Sequence, residues 1–158
     1  MNITFCGHSQ VENSRDVTDW LLIITQKLIE QGGKTFYLGG YGEFDSLAAS
    51  VLREKKKLYP QIELILVLPY LHTSKEILEY DDTIYPPLES VPPRYAISKR
   101  NQWMVDISDV VVAYYQYLAI PRHHQDSGQG NRKLLSKMCR HQAGMSYCFP
   151  HDGVLLLQ

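Results

Sequence analysis

Thr35-Phe-Tyr-Leu-Gly-Gly-Tyr-Gly-Glu-Phe-Asp-Ser-Leu-Ala-Ala49 carries an apolar strand into two adjacent glycines, then a third, then directly into a helix. Glycine lets the backbone turn sharply, and a helix starting there aims amide hydrogens without intrahelical acceptors beyond the strand. Turns of this kind bind phosphate. The order Gly39-Gly40-x-Gly42 is neither the dinucleotide fingerprint G-x-G-x-x-G nor a P-loop, which ends in Gly-Lys-Ser/Thr. It points to a nucleotide-type ligand and names no reaction; a tight turn with nothing bound is the competing reading. Asp45 is placed to bond a ribose hydroxyl, although a carboxylate in the first turn also stabilises a helix by itself.

Outward from this turn, strands and helices alternate. Asn2–Cys6 reads as a strand ending at Gly7, and Val17, Trp20, Leu21, Ile24 and Leu28 recur at helical spacing over Asp16–Gln31 until Gly32-Gly33 stops them. Lys34–Leu38 is the second strand and Phe44–Leu58 the second helix. Glu63–Pro69 is a continuous apolar run, as in a parallel strand covered on both faces. A short helix over Ser74–Glu79, a brief strand at Thr83–Tyr85, a helix over Tyr95–Ile107 and a strand at Val110–Tyr115 follow. Tyr117–Gln129 reads as a polar loop, Asn131–Gln142 as a helix and Met145–Phe149 as a further strand. The pattern predicts one α/β domain over residues 1–158, a Rossmann-like three-layer sandwich on a mostly parallel sheet of about five strands. Ligands of such sheets sit outside the carboxyl ends of the strands. Gly7–Arg15, Gly39–Asp45, Pro69–Leu71 and Tyr115–Asn131 would meet there.

Composition narrows the function classes. A chain of 158 residues, 44% apolar and 21% charged, suits a single domain with a real core. A net charge of −1 supplies no global field for nucleic acid, so nucleic-acid binding is not expected. No apolar run is long enough to span a membrane, and Met1–Phe5 opens as a strand, which predicts a cytoplasmic protein without membrane contact. Three cysteines (Cys6, Cys139, Cys148) without metal spacing fit reduced thiols. Eleven tyrosines, several near strand ends, are the unusual count.

Other segments carry candidate contacts. Gly7, His8 and Ser9 close the first strand, where Gly7 permits close backbone approach and His8 and Ser9 can bond phosphate or sugar; Arg15 is a candidate phosphate partner, since a guanidinium grips phosphate oxygens bidentately. In Lys99–Asp109, Trp103, Met104 and Ile107 have core spacing, which leaves Arg100 and Asn101 on a more polar side. Ser127-Gly128-Gln129-Gly130-Asn131 forms a second possible cradle, with Ser127 or Asn131 as helix cap. Adjacent His123-His124 lacks partners at metal spacing, so no metal and no cofactor is expected. Neither a nucleophile elbow with a Ser-His-Asp order nor an H-E-x-x-H motif is present.

Together these segments resemble the SLOG superfamily, the Rossmann-like group containing DprA and the LOG cytokinin-activating enzymes, and within it the bacterial YpsA-like branch. The family runs T-G-H-R, G-G-A-x-G-F-D-x-W/L-A-A, L-x-L-V-L-P-F, R-N-x-W-M-V-D-x-S-D and a late glycine-rich loop. Here these become Phe5–Ser9, Gly39–Ala49, Leu64–Tyr70, Arg100–Asp109 and Ser127–Asn131, a match over about residues 3–149. The resemblance implies a nucleotide or nucleotide-derived ligand, with Arg100 and the two glycine turns holding phosphate and ribose, and a homo-oligomer with a dimer favoured. Two departures stand out. Ser9 replaces the usual Arg, and Gly128–Leu134 lacks the catalytic Glu of the LOG motif P-G-G-x-G-T-x-x-E. A binding module is therefore the first expectation. An N-glycoside hydrolase using Asp45, Glu43 or Asp106 is the alternative, and a scaffold whose contact surface includes Tyr114–Leu118 the third.

Overall fold

Ile3 and Phe5 of the first strand, β1 (Asn2–Cys6), belong to one buried cluster and Cys6 to another, because successive side chains of a strand take opposite faces. The same alternation sorts Phe36 and Leu38 from Tyr37 in β2 (Thr35–Leu38), and Leu64 from Ile65 and Val67 in β3 (Glu63–Val67). These strands are apolar on both sides because helices cover both. The computed structural model describes residues 1–71 and 79–114, together with the backbone of 145–148 and 156–157. The helix expected at Ser74–Glu79 (save Glu79 itself), the loop Tyr117–Gln129 and the helix Asn131–Gln142 lie outside the described residues.

Helix α1 (Ser14–Glu30) joins β1 to β2, and α2 (Glu43–Leu58) joins β2 to β3. They pack on each other and on the larger cluster, burying Val17, Leu21, Leu28, Ala48 and Leu52. Asn13 enters α1 with φ 53°, a left-handed conformation that asparagine tolerates better than most residues. After β4 (Asp82–Ile84) the chain crosses back through α3 (Pro93–Asp106) to β5 (Val110–Ala113). Pro93 opens α3 at a position where its missing N–H costs nothing. Right-handed crossovers in opposite directions put α3 on the opposite face from α1 and α2, where it covers Tyr37, Ile65 and Val67 with Met104 and Cys6 and Val111 with Val105.

The sheet order is β4-β3-β2-β1-β5-β6-β7, with β6 (Met145–Cys148) and β7 (Leu156–Leu157) at one edge. All pairings from β4 to β6 are parallel, and only β7 runs antiparallel. The order reverses between β1 and β5, so the topological switch point lies there. The expected α/β Rossmann-like architecture holds, with strand and helix ends displaced by a residue or two; the short antiparallel β7 is additional to it. No described helix is long and apolar enough to cross a membrane.

Candidate functional site

Two crevices open at the carboxyl ends of the central strands. At the switch point between β1 and β5, Gly7 follows β1 and Tyr114 follows β5, their strands tied by the Tyr114 amide donating to the Cys6 carbonyl at 2.9 Å. This crevice is filled. Phe44, from the first turn of α2, stacks on Tyr114 with ring centroids 5.5 Å apart, and both side chains are 1% exposed. The His8 ring meets Tyr114 edge-on at 6.3 Å. A Cβ on Gly7 would lie 2.4 Å from the Phe44 ring, so only glycine lets β1 leave past it.

The second crevice, beyond β2 and β3, is built of charge. Arg100 projects from the middle of α3 and is 1% exposed. Its Nη1 donates to the Val67 carbonyl at 2.8 Å and to the Gly39 carbonyl, joining the ends of β3 and β2. Its Nε has no hydrogen-bond partner, and Arg100 forms no ion pair among the described residues. Burial lowers its pKa, with Asp45, Cys6, Tyr41 and Tyr70 acting in the opposite sense. A Cβ on Gly39 would sit 2.5 Å from Nη1 and 2.7 Å from Asp45 Oδ2, so the side-chain-free position gives both groups their room. The Tyr41 ring covers the guanidinium at 5.5 Å from centroid to Cζ.

Arg100 was expected on the polar side of α3, and the structure corrects this: Ala96, Arg100 and Met104 are buried together at helical spacing. Trp103 and Ile107 pack only at the margin of the core. The guanidinium is long enough to pass the sheet face and satisfy carbonyls that end β2 and β3.

Gly40 and Gly42 take φ 69° and 91°, conformations that side chains rarely adopt, and a Cβ on Gly42 would meet the Ser9 backbone at 2.9 Å. Some amides of the turn already have acceptors. The Tyr41 amide donates to Asp45 Oδ2 at 3.2 Å, and the Glu43 amide donates to the Ser9 carbonyl at 2.9 Å. The amides of Gly42, Phe44 and Asp45, at the open end of α2, have no acceptor among the described residues. The cradle is thus narrower than the glycine spacing predicts, and its free donors belong to the helix end.

Asp45 is partly buried beside this group. Burial pushes its carboxyl up to about 6, against the pull of Arg100 and of the Tyr41 and Gly39 amides. Cys6 lies below, where burial, and next the Asp45 charge, push the thiol up to about 12; it is an unreactive core thiol. Glu43 serves the architecture, its carboxylate accepting from the Val11 amide at 2.9 Å. Arg15 is exposed in the first turn of α1, and Asn101 follows Arg100 on α3, half-buried. Asp106 ends α3 at the opposite, amino ends of the central strands, where the Asp109 amide donates to the Asn2 carbonyl, and Gln102 bonds the Asp106 carboxylate at 2.7 Å. Ser127, Gly128, Gly130 and Asn131 lie outside the described residues.

The structure therefore brings Gly39, Gly40, Gly42, Asp45 and Arg100 together, with Gly7, His8 and Ser9 in the adjoining loop, and leaves Asp106 apart. It adds Tyr41 and Tyr70. Tyr70 follows β3, and its hydroxyl donates to the Pro93 carbonyl at 3.1 Å. The tyrosine count near strand ends was the signal for both.

No protein-family model matches the chain, and no curated protein matches it. Among solved structures it is similar to TM1055, determined by X-ray diffraction for the Northeast Structural Genomics Consortium, with 16% sequence identity and a TM-score of 0.49. That similarity covers 72% of this chain and 59% of TM1055, so the chain spans less than two thirds of that protein.

Proposed function

We propose that the protein binds a nucleotide or nucleotide-derived ligand at the β2–β3 crevice, as a member of the SLOG superfamily. One observation carries the reading: a fully buried guanidinium with an unbonded Nε and no ion pair among the described residues, set against a helix end with free amides. A buried charge without a contact partner costs several kcal/mol, roughly, and an anionic ligand would offset that cost. The helix terminus favours the same sign of ligand. The motif resemblance agrees with both.

Titration calorimetry with mononucleotides, NAD and ADP-ribose tests this reading, alongside native mass spectrometry of freshly purified protein for a co-purified small molecule. Binding of at least one compound, lost in Arg100→Met while the circular dichroism spectrum stays native, is the expected result. No heat with any compound, or unchanged heat in the variant, would refute it.

Asp45 favours a second reading, hydrolysis of an N-glycoside. A carboxyl titrating near 6 beside a buried cation is suited to proton transfer at neutral pH. Chromatography of AMP, CMP or NAD after long incubation should then show free base, and no excess over an Asp45→Asn control excludes hydrolysis by this group. Glu43 and Asp106 are left out of this reading by their positions.

A further inference from the structure

Tyr41 is half exposed, at 52%, in a turn whose backbone is constrained around it. Left-handed glycines flank it on both sides, its amide is bonded to Asp45, and one face of its ring lies over the Arg100 guanidinium. Beyond covering the guanidinium, the half-exposed ring is not part of the apolar core. Its fixed orientation leaves the phenol as a flat, partly apolar surface at the mouth of the charged crevice. The cation behind it draws on the π-system and keeps the ring in place. Tyr70, 36% exposed and fixed through its hydroxyl to Pro93, stands in the field of the same guanidinium. Donors and cations are enough to hold a phosphate, and an oriented aromatic face adds a surface for a planar group.

We infer that Tyr41 is a stacking platform for the planar base of the ligand, so that the site selects nucleotides over sugar phosphates of equal charge. This inference rests on the nucleotide-binding reading and adds to it the part of the ligand that confers selectivity. The phosphate lies toward the free amides of Gly42, Phe44 and Asp45, and the base lies on the ring one residue earlier in the same turn. Stacking of a base on an aromatic side chain is sequence-tolerant, since every base has a π-face, and purines stack over the larger area.

The test compares AMP, GMP, CMP and UMP with ribose 5-phosphate, which has the same phosphate and sugar but no base. Titrations use the full chain at one salt concentration. The expected result is that the best mononucleotide binds roughly 10-fold or more tightly than ribose 5-phosphate. Tyr41→Ala should remove that advantage by weakening mononucleotides by a much larger factor than ribose 5-phosphate, whereas Tyr41→Phe should keep most of it. Equal affinity for mononucleotides and ribose 5-phosphate in the wild type overturns the platform while leaving the phosphate site standing. So does a Tyr41→Ala variant that weakens both classes alike. If none of the five compounds binds, the platform for a mononucleotide base fails, and the nucleotide reading is then decided by NAD and ADP-ribose.

Discussion

The two crevices at the ends of the central strands solve the same packing problem with opposite chemistry. Between β1 and β5, where the strand order reverses and Rossmann-like sheets usually take their ligands, Phe44 and Tyr114 stack and close the gap. Two strands over, between β2 and β3, the gap is occupied by Arg100 and Asp45, with donors left over. The aromatic pair is complete and asks for nothing more. Among the described residues, the charged pair is not in ion-pair contact and Nε has no acceptor. Topology alone would place a ligand at the first crevice, whereas the unbonded donors at the second argue for a displacement of the site by two strands.

Breaking the filled crevice should have the largest effect. Phe44→Ala removes a side chain 1% exposed, and a loss of about 3–5 kcal/mol is expected in urea unfolding. Arg100→Met tests the other crevice and should cost much less. Leaving the Gly39 and Val67 carbonyls unbonded costs about 1–3 kcal/mol each, and removing a buried charge offsets much of that. A net change under about 2 kcal/mol is expected, with the Asp45 carboxyl titrating higher in a carbon-detected NMR titration because the cation that pulls it down is gone. A loss as large as that of Phe44→Ala would mean that Arg100 is an ordinary structural residue.

A pH series sharpens the contrast. The Asp45 carboxyl titrates near 6 in the folded chain against 3.8 for a free carboxyl. Between those values the folded state binds the extra proton, so stability falls as pH rises through the window and stays lower above it. The expected drop is about 1–3 kcal/mol, and Asp45→Asn should flatten it. A wild-type profile already flat from pH 4 to 6.5 would count against the buried placement of this carboxyl. The smallest effect belongs to Asp81, remote from both crevices. Despite the opposing effect of burial, the Leu64 amide and Lys56 hold its carboxyl below the usual range. Its contribution is present above the ordinary carboxylate pKa and lost as pH falls through its own lower value. Asp81→Asn should therefore cost under about 1 kcal/mol at neutral pH, with the difference vanishing in acid.

The strands were legible because their signal is local. Alternating faces in Ile3–Cys6 and the unbroken run Glu63–Val67 fix both the elements and their coverage by helices. The glycine turn was legible for the same reason, since three glycines between a strand and a helix have few other uses. Arg100 was misread because its neighbours Lys99 and Asn101 are polar and suggest a wet face. The informative spacing was Ala96–Arg100–Met104, a stripe whose middle member is long enough to carry its charge through the core layer to free carbonyls. The Phe44–Tyr114 stack was out of reach, because it joins two segments distant in sequence and depends on a third, Gly7, having no side chain. The bond between Glu43 and Val11 was out of reach for a similar reason: it is a tertiary fact that spacing does not announce.

Glu43 holds the neighbouring loop twice, its amide giving to Ser9 and its carboxylate receiving from Val11. The glycine turn after β2 and the segment after β1 are therefore mechanically one unit. A molecule that grips the start of α2 stiffens residues it never touches, and slowed amide exchange at Val11 would report occupancy from a distance.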